Sequence, residues 1–265
     1  MSTTIVLITG ANTGIGFQIV RALASASKPY HIIVGARSTA KADGAIKAVQ
    51  DEFPSSLSKL SSVVIDLEDD ESIQNAFNEV SADHGRLDVL INNAGGQFEP
   101  QHMRGEISER EAWNKSWNLN TAGTQIVTST FVPLLLKSAE PRLLFVTSGA
   151  SALSGTEDPA VPVNTKPPPG WPKTGFLGVP AYRSAKTGLN MLMREWHRVL
   201  EGDRVKVFAI SPGLLATGLG GNPEFLKKIG AKDPAIAGPF IRSVVEGERD
   251  ADVGKILSRD GIQAW

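Results

Sequence analysis

Apolar residues fall in short unbroken blocks separated by longer stretches at helical spacing. The blocks Ile5–Ile8, His31–Ala36, Ser62–Asp66, Leu87–Ile91, Leu143–Thr147 and Val205–Ile210 are dominated by branched aliphatic side chains. Continuous apolar runs of that length fit strands buried on both faces. Between them, Gly14–Ala26, Thr39–Phe53, Glu71–His84, Arg110–Lys137 (in two pieces) and Ala181–Glu201 read as amphipathic helices. Strand–helix alternation predicts an α/β chain, a parallel sheet with helices on both faces. The stretch Pro212–Gly247 is rich in glycine and proline and predicts short helices, and Lys255–Ile262 predicts a last strand. There is no internal repeat and no linker, so residues 1–265 read as a single domain.

One segment breaks the rhythm. Residues 155–180 hold Pro159, Pro162, Pro167, Pro168, Pro169, Pro172 and Pro180. Such a segment excludes a regular helix or central strand. A long loop inside a compact domain is usually functional, and Trp171 and Phe176 give this one apolar area to lay over a ligand. Trp113, Trp117 and Trp196 sit at helical positions and read as core.

The first strand runs into Thr9-Gly-Ala-Asn-Thr-Gly-Ile-Gly16, after which apolar spacing turns helical at Ile15, Ile19 and Leu23. This is a strand, a glycine turn and a helix start. It brings backbone N–H groups and the positive end of a helix dipole to where a diphosphate can sit, with Gly10, Asn12, Thr13, Gly14, Ile15 and Gly16 as candidate contacts. The second strand ends at Gly35-Ala36-Arg37-Ser38, about 20 residues after the third glycine, where a dinucleotide fold reads the ribose. An acidic residue there would hold the 2′-hydroxyl of NAD. Arg37 instead offers a fork of donors to a 2′-phosphate, so this turn, Ser38 included, favours NADP(H). Asn92-Asn93-Ala94-Gly95 follows the fourth strand at the carboxyl edge of the sheet, where ligands bind.

Tyr182 and Lys186 lie four residues apart on one predicted helix and share a face. A nearby ammonium favours phenolate, which would bring the phenol into the range of a general acid/base.

The formal charge of −1 leaves no footprint for nucleic acid or an anionic membrane. No apolar stretch approaches the roughly 20 residues of a membrane span. The first strand begins within a few residues of Met1, leaving no room for a leader, which predicts a cytoplasmic protein. With no cysteine, disulfides, thiol nucleophiles and cysteine-ligated zinc are excluded, and no metal set is evident.

Taken together, Thr9–Gly16, Asn92–Gly95, Ser148, Tyr182–Lys186 and Ser211-Pro212-Gly213 occur in the order of the short-chain dehydrogenase/reductase family, which the chain resembles from Thr4 to about Thr217. The resemblance implies a Rossmann-type doubly wound sheet and a catalytic set of Asn120, Ser148, Tyr182 and Lys186. Tyr182 would be the acid/base, Lys186 would lower its pKa and hold the nicotinamide ribose, and Ser148 would bond the substrate carbonyl. Asn120 would support a proton-relay water. Ser151 is a rival to Ser148. For the cofactor the resemblance adds Asp66 and Leu67 at the adenine, Asn93, Ala94 and Gly95, and Pro212, Gly213, Leu215 and Thr217 near the carboxamide and pyrophosphate. It implies hydride transfer between NADP(H) and a small ketone, aldehyde or alcohol. Thirty-four positions separate Ser148 from Tyr182, an insertion like that of monomeric carbonyl reductases, so a monomer is expected over a homodimer. A non-catalytic NADP(H)-binding scaffold would predict a broken catalytic set, and all four residues are present. An epimerase or dehydratase relative would show G-x-x-G-x-x-G and a longer C-terminal region, and neither is found.

Overall fold

A computed structural model describes residues 3–159, 161–173 and 178–265. Phe176 lies outside them. Eight strands form one sheet: β1 Thr4–Ile8, β2 Tyr30–Ala36, β3 Lys59–Val64, β4 Val89–Asn92, β5 Arg142–Val146, β6 Lys206–Ile210, β7 Ile256–Ser258 and β8 Gly261–Gln263. Their order across the sheet is β3-β2-β1-β4-β5-β6-β7-β8. The ladders from β3 to β7 are all parallel, and β8 turns back antiparallel on β7. The chain is thus a Rossmann-type α/β fold. From β1 it winds outward to β3, then crosses back to β4. A crevice opens at that switch point, beyond the carboxyl ends of β1 and β4.

Strand side chains alternate between two cores. Val6, Ile8, Ile32 and Val34 pack with α1 (Gly14–Ala24), α2 (Thr39–Glu52) and the later helix of residues 237–245. Ile5, Leu7, Ile33 and Leu90 face α3 (Asp70–His84), a helix at 123–135 and a long one at 180–200. Helix ends are capped by local chemistry. Asp69 accepts from Glu71 N and Ser72 N at the start of α3, and Gly85, at φ 69°, closes it.

Three departures from the sequence reading have physical causes. β3 runs from Lys59 to Val64, ahead of the predicted Ser62–Asp66, because its pairing with β2 starts at His31↔Lys59 and ends at Ala36↔Val64. It is an edge strand, and its polar Ser61 and Ser62 hide it from an apolar-block search. A short α4, Glu99–Met103, lies between β4 and α5 (Glu109–Trp117) with no periodic signal of its own. The helical stretch 110–137 falls in two pieces, as the sequence reading has it. A π-turn at Asn118–Ala122 separates α5 from α6 (Gly123–Leu135). Helix α7 spans Pro180–Leu200, α8 Pro223–Lys228 and α9 Ala237–Val245. The expected last strand is a hairpin, β7–β8, turning at Arg259 and Asp260. Among the described residues no helix is long and apolar enough to cross a membrane.

Candidate active site

A cleft of about 700 Å³ lies at the switch point. At its nucleotide end, Gly10 and Gly14 take φ of +63° and +56°, a region open to glycine at little cost. A Cβ on Gly10 would lie 2.9 Å from Ala94 Cα, so this glycine lets the β1 turn meet the β4 turn. Gly14 has only Thr217 nearby, at 3.8 Å from the site of a Cβ, so its other side is open to the cleft. The two turns are sewn together. Asn93 N and Ala94 N donate to Thr9 Oγ1 at 3.0 Å each, and Asn93 Nδ2 donates to Thr9 O and Gly10 O at 2.8 and 3.1 Å. Thr13 precedes α1 without a side-chain cap, leaving first-turn amides for a ligand.

Arg37 lies beside Lys41, one helical turn on, and both line the cleft with Asp66, Leu67 and Glu68. Both cations are exposed and bond to no protein group among the described residues. Asp66 follows the end of β3, and its Oδ1 accepts from Glu68 N at 3.1 Å. Thr217 reaches the cleft from the other half of the chain, with Gly218 and Leu219 beside it. Asn12, Ile15 and Gly95 also line it. Gly16, Ser38, Pro212, Gly213 and Leu215 are not among its lining residues. Gly16 serves packing, since a Cβ there would collide with Gly10 O and lie 2.6 Å from Asn93 Nδ2. Ser38 begins α2 with no side-chain bond to it. Leu215 is buried and bridges to Lys232.

The other end of the cleft is buried. The π-turn sets Asn120 inward, where Nδ2 donates to Ser116 O and Gly96 O, both at 2.8 Å. Asn120 Oδ1 accepts from Gly96 N at 3.2 Å, so its amide clamps the β4 turn against α5. Tyr182 and Lys186 occupy successive turns of α7, at 8 % and 4 % exposure. The Lys186 ammonium donates to Val146 O at 3.0 Å and lies 5.9 Å from the Tyr182 ring centroid. Ser148 caps the turn after β5 by accepting from Ala150 N, and its hydroxyl is near enough to the Tyr182 phenol to favour the phenolate. Ser148 meets the site through that phenol rather than as a wall of the cleft. Ser151, its rival, is buried among Thr147 and Asn190, with its Oγ 2.9 Å from Asn190 Nδ2. Of the two, only Ser148 acts on the Tyr182 phenol.

One sequence expectation is reversed. Lys186 was to lower the Tyr182 pKa. Instead burial pushes the phenol up to about 12, the Ser148 hydroxyl acts against that, and the charge of Glu99 adds to it. Burial likewise pushes the Lys186 ammonium down to about 8. With the ammonium turned to the Val146 carbonyl, desolvation decides both groups.

Other expectations are also corrected. Trp113 and Trp117 are not core: they are 40 % and 48 % exposed, although Trp117 lies over Gly188 of α7. Trp171 is 87 % exposed and does not line the cleft. Sequence reasoning missed Lys41, Phe98, Gln101, Lys115 and Leu119, which line the cleft, and Glu99, which touches α7. Lys41 had a signal, its four-residue spacing from Arg37. The others depend on α4 and the π-turn, which had none.

Residues 4–160 match the short chain dehydrogenase family, a span that stops before Tyr182. The chain is 44% identical over 271 residues to the short-chain dehydrogenase/reductase eupG of Phoma sp, covering 98% of this chain and 97% of that protein. It is 44% identical over 257 residues to the short-chain dehydrogenase/reductase tropE of Talaromyces stipitatus, covering 97% and 95%. Among solved structures, the NADPH-bound carbonyl reductase from chicken fatty liver superposes with a TM-score of 0.79 at 22% identity, over 100% of both chains. The glycine turn, the Asn92–Gly95 edge and the Tyr182/Lys186 helix thus meet at one crevice of a fold whose relatives align end to end, and the chain belongs to the short-chain dehydrogenase/reductase family.

Proposed function

We propose that the chain is an NADP(H)-dependent reductase of ketones or aldehydes. One observation carries the reading: a single cleft has two cations, Arg37 and Lys41, without partners among the described residues at one end and the buried Asn120, Tyr182 and Lys186 at the other, with half-buried Ser148 just outside its wall. The residues fit the cofactor. The open face of Gly14 and the first-turn amides of α1 suit a diphosphate. Arg37 and Lys41 suit a 2′-phosphate, Asp66 and Leu67 the adenine, and Asn93–Gly95 and Thr217 the remainder. Lys186 would hold the nicotinamide ribose.

When bound, the cofactor supplies the hydride. Tyr182 gives its phenolic proton to the carbonyl oxygen, so carbonyl plus hydride plus proton becomes alcohol. Ser148, beside that phenol, holds the same oxygen. Asn120 keeps the β4 turn in register with α5 through its three bonds. The burial of Tyr182 and Lys186 keeps bulk water from the proton transfer. The same residues serve alcohol oxidation in reverse.

The test is loss of NADPH absorbance against aromatic aldehydes, diketones, quinones and cyclic ketones, with NADH in parallel. Turnover with NADPH well above NADH is expected. No turnover with any carbonyl, or a preference for NADH, would overturn the reading. For assembly we read a monomer, because the 155–180 insertion precedes α7. Light scattering at twice the chain mass would overturn that, and exposed Trp113, Trp117 and Met191 on α5 and α7 are the surface it would implicate.

A further inference from the structure

Helix α7 carries Tyr182 and Lys186, yet its own sequence begins it poorly. The cap position is Val179, whose side chain accepts no hydrogen bond, and Pro180 follows. A helix start leaves amide donors that a polar cap residue normally meets. Here the Tyr182 amide donates to Glu99 Oε1 at 2.8 Å, from a residue 83 positions earlier on α4. Glu99 is 6 % exposed, and its Oε2 is buried with no hydrogen-bond partner among the described residues. A buried carboxylate is costly, and a neutral amide oxygen would cap the helix as well. Glu99 thus serves the start of α7 from outside the helix, with its second oxygen turned to no group among the described residues.

Charged and polar groups reach this end of the cleft from several elements, and on α5 Lys115 lines it with its ammonium 5.8 Å from the Phe98 ring centroid. On α7, Lys186 turns to Val146 O, and Arg183 donates to Ala150 O and Val163 O. After β5 stands the neutral Ser148, and from the π-turn the neutral Asn120 amide. On α4 itself, His102 is exposed and its Nδ1 is engaged with Ile107 O. We propose that Glu99 is a positioning residue for Tyr182: it seats the first turn of α7 through the Tyr182 amide and places an acidic side chain against the residue that carries the phenol. The inference rests on Tyr182 being the acid of the reaction proposed above. The direction of the Glu99 effect agrees, since its charge adds to burial in pushing the phenol up.

The chain has two tyrosines. Tyr30 is fully buried, donates to Glu246 Oε1 at 2.9 Å and is pushed up by burial and by that carboxylate. A tyrosinate absorbance titration, with Tyr182→Phe to assign the signal, therefore reads Tyr182. Glu99→Gln keeps an acceptor for the Tyr182 amide and removes the charge. Its midpoint is expected to fall by about half a pH unit or more, roughly threefold in the acid constant. The alkaline limb of kcat/KM for NADPH reduction of an aromatic diketone is expected to move the same way. Val179→Ser gives α7 a cap acceptor of its own, so the double variant Glu99→Gln/Val179→Ser should regain Tm while its midpoint stays low. That variant also carries the test if Glu99→Gln alone does not fold.

An unchanged midpoint in Glu99→Gln overturns the inference. So does a midpoint restored by Val179→Ser, which would leave Glu99 a helix cap and nothing more. An inactive Tyr182→Phe beside an unmoved Glu99→Gln midpoint removes this inference only, whereas normal turnover in Tyr182→Phe removes the proposed reaction as well.

Discussion

The two ends of the cleft solve opposite problems. At one end Arg37 and Lys41 stand in solvent without partners among the described residues. At the other, Asn120 and Lys186 are buried and committed to backbone carbonyls, and Tyr182 is buried beside them. Recognising a phosphate asks only for mobile positive charge that stays hydrated until the anion arrives. Moving a proton asks for a fixed, dry geometry, and drying a site pushes its acids up and its bases down. Tyr182 near 12 and Lys186 near 8 are the mark of that drying. In the proposed reaction the same cleft would bind with exposed groups and react with buried ones.

The sharpest way to break this contrast is Tyr182→Phe. Losing the general acid should slow turnover by roughly 10²–10⁴-fold with NADPH affinity nearly intact, as read by steady-state kinetics and cofactor fluorescence. Turnover within a few-fold of the parent would leave the buried end without a proton donor to explain.

At the exposed end, Arg37→Ala should weaken NADPH by about ten- to a hundredfold, the range for a hydrogen bond to a charged group. NADH, which lacks the 2′-phosphate, should barely change. Binding titrations of both cofactors decide it, and equal losses would make Arg37 a bystander.

Lys186→Met tests the cost of burial. The ammonium falls from its ordinary 10.5 to about 8 in the folded chain. At about 1.4 kcal/mol per pH unit, holding it charged costs about 3 kcal/mol at most, offset by about 1 kcal/mol for the bond to Val146 O. A depressed folded pKa gives stability that is present above pH 10.5 and lost as pH falls through 8. The parent is therefore penalised at neutral pH. Lys186→Met should raise Tm at pH 6–7, with the gain shrinking from pH 8 to 10.5, while turnover falls. A lowered Tm at neutral pH would show that the Val146 contact outweighs desolvation.

The smallest effect is expected at Trp171. The sequence alone made it a candidate to cover substrate, but at 87 % exposure it makes little contact. Trp171→Ala should leave both Tm and KM for bulky carbonyls unchanged. A raised KM would return the loop to the reacting end of the cleft.

The difference between what could be read and what could not follows the range of the interactions. Strands β1, β2 and β4 to β6 are visible as apolar blocks because both their faces are buried. The glycine turn is visible because Gly10 and Gly14 meet a backbone demand that other residues meet poorly. Tyr182 and Lys186 are visible because one helix sets their spacing. Ser148 was legible only through resemblance and its place at the end of a strand, and the Thr147–Ser151–Asn190 network that occupies its rival Ser151 was not legible at all. β3 escaped its predicted bounds because edge pairing, not apolarity, defines it.

The sequence by itself determined the alternation of strands and helices, the glycine turn after β1 and the shared helix face of Tyr182 and Lys186, since each is written in local period, glycine placement and short spacing. Tertiary structure alone decided the state of the chemistry. Burial, not the neighbouring ammonium, governs the Tyr182 phenol. A π-turn aims Asn120, and Glu99 completes a helix start 83 positions away. Desolvation and long-range capping depend on what the fold brings near in space, and chain spacing holds no record of that.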